Sequence, residues 1–379
     1  MKYVWLFLGW IITAVFLMLT ISMLMLANWL AAIVLILLVL LCMPPSAGYV
    51  KKRIFGTKDP GRINPAVFQL MRLFLILVLL FLFGRLLIGG EAASIYASPE
   101  VKEEFFRIYD EKMEEWPLPY EDLFLDTGYG RVHVIVSGRE TAPPLLLLHA
   151  SGVSSWSWKF NAAALGAHFR LLAVDLIGGP GKSEYADLTK IMENGRDQAD
   201  LYAEICTNLG VQKSFVAGAS EGGFIGTNYA LYYPERVEKL VLLGPMGYSG
   251  AAKSIFRISL AQFFPLELIQ RNTFNWAFSN SPVLTEEYQE WFPLLMNEVR
   301  PMKVAPLPFS EEIRQSLQVP VLFIFGRRDN LVGDPQKAES GVQDIPDVRV
   351  EIVDAGHLMA AEIPDEINSY ILSFFQEPD

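Results

Sequence analysis

Two hydrophobic patterns divide the chain. Over the first 90 or so residues the apolar positions run on with few breaks, whereas beyond Glu121 they fall into short runs separated by amphipathic segments. Tyr3 to Met43 contains no charged residue. About 41 residues at ~1.5 Å rise make roughly 60 Å of helix, enough to cross a hydrocarbon core about 30 Å thick twice. Ala66 to Ile88, interrupted by Gln69, Arg72 and Arg85, predicts a third crossing. The pattern therefore places membrane spans at about 3–25, 28–48 and 66–88, with the first break near Asn28. A cleaved leader is the competing reading, but its apolar region would be far too long and no small-residue cleavage site follows. The loop before the third span carries Lys51, Lys52, Arg53, Lys58 and Arg62 against Asp59, which makes it cytoplasmic. Three spans then put everything after Ile88 on the extracytoplasmic side of a multi-pass cell-membrane protein, and two spans would invert that.

Beyond the apolar region, Ser98-Pro99-Glu100 has the form of a helix start, with a capping serine and a proline in the first turn. Val101, Phe105, Ile108 and Tyr109 share one face, and Trp116-Pro117 is expected to end the helix. Its polar face is acidic (Glu103, Glu104, Asp110, Glu111, Glu114), which disfavours a seat on a lipid surface. Residues 91–118 thus read as a helical stem and 119–379 as a globular domain. Leu123 to Asp126 and Val132 to Val136, split by Gly128-Tyr129-Gly130, predict a hairpin. Leu145 to Leu148, Leu171 to Val174, Phe215 to Ala217, Leu240 to Leu243, Val321 to Phe325 and Val348 to Val353 are apolar runs of buried-strand type. The fold class is α/β: a mostly parallel, eight-stranded sheet covered by helices on both faces.

Composition changes the picture in three places. The net charge of −11 argues against a nucleic-acid partner. Two cysteines, Cys42 in a predicted span and Cys206 in a predicted soluble helix, imply no disulfide. The four histidines, His133, His149, His168 and His357, show no metal-ligand spacing, so neither a metal nor a cofactor is expected.

The chemistry concentrates around Lys213 to Phe224. A short buried-strand run leads into Gly218-Ala219-Ser220-Glu221-Gly222 and then into helical spacing, the strand–turn–helix context of a nucleophile elbow. A serine nucleophile needs a base, and His357 follows the last predicted strand. The orienting acid should lie between the two in chain order at a strand end, which favours Asp329 over Asp334 and Asp354. His133 reads as an ordinary strand residue and His168 as a solvated turn residue.

With these residues in place the chain resembles the α/β hydrolases over roughly Glu121 to Phe375. His149-Ala150-Ser151-Gly152 is similar to the family's segment after the third strand, with Ala150 in place of the usual glycine. Asp175-Leu176-Ile177-Gly178-Gly179-Pro180-Gly181-Lys182-Ser183 matches its turn after the fourth strand, and Tyr233-Pro234-Glu235-Arg236-Val237 is also familial. The resemblance implies a Ser220–His357–Asp329 triad, with the backbone amides of Ser151 and Glu221 as the oxyanion hole and His149 bracing that loop. It also implies that the segment 247–317 is a helical lid. That segment holds Phe256, Phe263, Phe264, Phe274, Trp276, Phe278, Tyr288, Trp291 and Phe292, so an apolar acyl or alcohol pocket is expected. The implied activity is hydrolysis of a small-molecule ester by a membrane-anchored serine hydrolase. An amidase, a thioesterase, a cofactor-free perhydrolase and a non-catalytic tethered binding domain are the alternatives.

Overall fold

The computed structural model describes residues 94–248, 257–258, 261, 266–300 and 304–378. The three predicted spans lie outside the described residues, as do Phe256, Phe263 and Phe264 of the predicted lid. Among the described residues no helix is long and apolar enough to cross a membrane.

Helix α1 (Pro99–Met113) opens the described chain, capped by Ser98, whose side chain accepts from the Val101 amide at 3.3 Å. It ends at Met113, before the Trp116 expected from sequence. There a turn, with the Trp116 amide bonded to the Met113 carbonyl at 3.0 Å, brings the buried Trp116 back into the core. Strands β1 (Tyr120–Asp126), β2 (Gly130–Ser137) and β3 (Pro144–Leu148) follow, then α2 (Lys159–Gly166), β4 (Arg170–Val174) and β5 (Glu184–Tyr185). Next come α3 (Gly195–Asn208), β6 (Ser214–Ala219), α4 (Glu221–Tyr232) and β7 (Val237–Leu243). The segment after β7 holds α5 (Glu267–Ala277), α6 (Pro282–Glu287), α7 (Trp291–Glu298) and α8 (Glu311–Gln315). Strand β8 (Val321–Gly326), α9 (Pro335–Ser340), β9 (Val348–Val353), α10 (Met359–Glu362) and α11 (Pro364–Gln376) complete the chain.

The sheet order is β1-β2-β4-β3-β6-β7-β8-β9, and the two-residue β5 pairs with β2 as a ninth strand that the apolar runs did not disclose. Strands β3, β4 and β6 to β9 are parallel, with the antiparallel hairpin β1–β2 at one edge. Its central strands β3, β4, β6, β7 and β8 are covered on both faces, which explains why they read as apolar runs, whereas the edge strands β1 and β9 carry charged residues and are only partly buried. In β3 successive side chains alternate: Leu145 and Leu147 join a core with α1, α2, α11 and α5 to α7, while Leu146 and Leu148 join one with α3, α4 and α9. All four leucines are fully buried, and at ~25 cal/mol per Å² each stabilises the fold by about 2 kcal/mol.

Helix α1 belongs to the same core. Phe105, Ile108, Tyr109 and Met113 are buried in the core of Leu145 and Leu147, so the amphipathic face read from sequence is spent on this domain. The helical segment after β7 has its own aromatic centre: Phe274 lies 4.5 Å from both Phe278 and Phe292, and Phe278 stacks on Tyr288 at 5.6 Å.

Candidate active site

Parallel strands bring the loops at their carboxyl ends to one edge of the sheet, where ligands bind in open α/β folds. Here those loops carry His149, Asp175, Ser220, Gly244, Asp329 and His357.

Ser220 sits between β6 and α4 with φ 50° and ψ −108°, a conformation that costs a non-glycine residue about 1–3 kcal/mol. The surroundings enforce it: the Ser220 amide donates to Leu243 O (2.9 Å), and its carbonyl accepts from Phe224 (3.1 Å) and Met246 (3.0 Å). A Cβ on Gly222 would run into the Leu148 carbonyl, and one on Gly218 into the Gly222 carbonyl, so the elbow closes only with glycine at both.

His357 Nδ1–H donates to Asp329 Oδ2 at 2.7 Å. The other carboxylate oxygen accepts from the amides of Leu331 (2.8 Å) and Val332 (3.0 Å), so Asp329 is immobilised on the loop after β8. Asp329 is 2% and His357 6% exposed, which keeps the bond out of competing water. The pair lies against Gly244, where a Cβ would stand 3.0 Å from Asp329 Oδ2 and 3.4 Å from His357 Nδ1. In the chain Gly244 lies between Leu243 and Met246, both bonded to the Ser220 backbone, so elbow and pair share one wall. The rival acids are engaged elsewhere. Asp354 is exposed and pairs with Arg328 (3.1 Å), and Asp334 caps α9 through the Gln336 amide (3.1 Å).

His149 lies fully buried between two loops. Its Nδ1–H donates to Ala150 O (2.8 Å) and its Nε2 accepts from the Leu176 amide (2.9 Å), an arrangement that fixes the neutral tautomer. Ser151 and Glu221 line the same cavity as His149, together with Met192, Gln198 and Tyr202. A second cavity, mostly apolar, also reaches His149 and is lined by Ala150, Trp158, Ala219, Tyr288, Met359 and His357. His168 is exposed in a turn.

The structure also holds features that the sequence did not disclose. His133 is buried between two carboxylates, with Nδ1 2.9 Å from Asp175 Oδ2 and Nε2 2.9 Å from Asp122 Oδ1. Burial alone pulls its pKa down, but the two carboxylates outweigh it and push the imidazole up to about 9. Burial raises the Asp175 carboxyl in turn, and His133 with the Lys182 amide more than reverses this, holding it well below the usual carboxylate range. Asp175 Oδ1 also accepts from the amide (2.9 Å) and hydroxyl (2.7 Å) of Ser155. This ion cluster locks the loop after β4, on which His149 leans. The only signal in the sequence was Asp175 itself, in its turn motif.

The helical segment after β7 is bonded to both sides of the site. Trp291 Nε1–H donates to Gly152 O (2.7 Å), Asn330 Nδ2–H to Trp276 O (2.8 Å), and the Ser279 hydroxyl to the Arg328 carbonyl. Arg328 is itself paired with Glu362 (2.7 Å), whose other oxygen accepts from the Gly356 amide (2.7 Å), so the loops of Asp329 and His357 are tied together.

A model of the alpha/beta hydrolase family matches residues 145–369. The chain belongs to that family. This hydrolase is 31% identical over 296 residues to the carboxylesterase YbfK of Bacillus subtilis, a match covering 74% of the chain and 96% of the relative. It is 29% identical over 294 residues to the carboxylesterase nap of the same organism, covering 73% and 95%. Among solved structures, naproxen esterase (carboxylesterase NP) of B. subtilis superposes with a TM-score of 0.68 at 28% identity, covering 74% of this hydrolase and 99% of that chain. Carboxylesterase CesB (YbfK) gives 0.68 at 30% identity, covering 74% and 100%.

Proposed function

We propose that this hydrolase is a membrane-anchored serine carboxylesterase that cleaves esters of an apolar acid or alcohol through Ser220, His357 and Asp329. The protein is a carboxylesterase, an α/β hydrolase acting on ester bonds, as its family and its likeness to two carboxylesterases over almost their whole length support. The observation that carries the site is the buried 2.7 Å bond between His357 and Asp329, on the wall shared with the strained Ser220.

The chemistry follows from those positions. Ser220 Oγ attacks the ester carbonyl carbon while His357 Nε2 takes its proton, and Asp329 holds Nδ1–H and stabilises the imidazolium. The negative charge that develops on the carbonyl oxygen meets the Ser151 and Glu221 amides, the latter at the N-terminus of α4 where the helix dipole is favourable. His357 returns the proton to the departing alcohol, and water then releases the acid by the same route. The apolar lining beside His357 suits a hydrophobic acyl or alcohol group. For the anchor, the support is the uncharged stretch from Tyr3 to Met43, the apolar run to Ile88 and the basic loop between them, which favour an extracytoplasmic catalytic domain.

A panel of acyl esters graded in chain length, run with purified full-length protein, tests the reading. Turnover should rise with acyl or alcohol length before falling at the limit of the cavity. Activity confined to amides or thioesters would overturn the ester assignment.

A further inference from the structure

We propose that Trp291 of the lid is a positioning residue for the oxyanion hole, and that helix α1 steadies it through Phe105. The proposal rests on the catalytic reading above. Ala150 to Val153 form a turn in which the Val153 amide donates to the Ala150 carbonyl at 3.4 Å, with Gly152 at φ +79°. A positive φ at the third turn position is the type II requirement, which glycine meets without strain. Each peptide group is a rigid plane that points its N–H opposite to its C=O. The plane carrying the Ser151 N–H is therefore the plane carrying the Ala150 C=O, and the plane carrying the Val153 N–H is that of the Gly152 C=O.

Trp291 Nε1–H donates to Gly152 O at 2.7 Å, which fixes the second plane. That plane's Val153 N–H bonds Ala150 O and so orients the first, together with the His149 Nδ1–H donated to the same oxygen at 2.8 Å. A bond made by the lid thus sets the direction of the Ser151 N–H two peptides away. The indole is held in turn: Trp291 is 1% exposed, Phe105 of α1 meets it edge-on at 4.7 Å and Trp156 at 5.7 Å. A Cβ on Gly152 would stand 2.8 Å from Leu295 of the same lid helix, so turn and lid are fitted closely. Donors aimed before the reaction at the place where charge develops lower the barrier without affecting ground-state binding, so the effect belongs in kcat.

The test is Trp291→Phe, which keeps a ring against Phe105 and removes the donor. kcat and KM are measured on an activated ester in full-length protein, per active site titrated with a fluorophosphonate. Affinity for a trifluoromethyl ketone, whose Ser220 adduct bears the oxyanion, is measured alongside. We expect kcat to fall about tenfold, KM to stay within about twofold, and the ketone to bind about tenfold more weakly. Phe105→Leu, which leaves the indole bond in place, should shift kcat and ketone affinity in the same direction by a smaller factor, and it decides the matter if Trp291→Phe does not fold. Unchanged kcat per titrated site, or a fall in kcat with unchanged ketone affinity, overturns the proposal. Turnover retained in Ser220→Ala would instead remove the catalytic reading beneath it.

Discussion

Raising the pH should loosen this domain through one histidine. His133 is fully buried between Asp122 and Asp175, and its folded pKa of about 9 lies above the ordinary 6.5. A group whose pKa is raised on folding stabilises fully below its unfolded value and loses that contribution as pH rises through the folded one. The window is therefore from about 6.5 to about 9, and at ~1.4 kcal/mol per unit the loss is about 3 kcal/mol, a large share of a domain's net stability. Asp175 has the opposite sign: its pKa is lowered below 3.8, so its contribution is present above that value and is lost in acid. The assay is denaturant unfolding of full-length protein in detergent at pH 6 and pH 9.5, followed by tryptophan fluorescence, for wild type and His133→Gln. The variant should be less stable than wild type at pH 6, with the gap between them narrowing by about 3 kcal/mol at pH 9.5. Comparison with the variant cancels the titration of surface groups. A gap that stays constant across the range would refute a charged His133 in the folded state.

Two further outcomes are expected. Asp329→Asn should lower kcat by roughly 10⁴, because the Leu331 and Val332 amides keep the asparagine oxygen and turn its NH2 group toward His357 Nδ1, which holds the imidazole in the wrong tautomer, whereas Asp354→Asn, at an exposed ion pair, should change it little; steady-state kinetics on one ester decide, and a reversed order would move the acid to Asp354. For the topology, single cysteines at Ser98 and Thr57 in a Cys42→Ala, Cys206→Ala background should react with an impermeant maleimide on intact cells at the first position and not the second, and labelling at Thr57 alone would invert it.

What could be read without coordinates depended on how far apart the cooperating residues lie. The central parallel strands were legible because a sheet buried on both faces writes itself as short apolar runs such as Leu145 to Leu148, and the edge hairpin because Gly128-Tyr129-Gly130 splits its two strands. Strand β5, two residues long, is too short to leave a period. Ser220, Asp329 and His357 could be singled out because each follows a strand and chain order restricts their roles; the bond between Asp329 and His357 is a matter of coordinates. His133 looked like any strand residue, since its partners lie 11 and 42 residues away and its charge exists only once they meet in the core. The same holds for Trp291, an aromatic among aromatics until its indole reaches a carbonyl 139 residues away. The apolar face of α1 could be seen, but not the surface it covers.

The central claim is that Ser220 is the nucleophile. Full-length wild type and Ser220→Ala should be compared for turnover of one ester and for labelling by a fluorophosphonate, with circular dichroism confirming that both are folded. Loss of labelling, together with a fall in turnover of several orders of magnitude, is the expected result, since the triad acts as a unit. Labelling of the folded alanine variant at the wild-type rate would place the nucleophile on another serine and contradict the site described here.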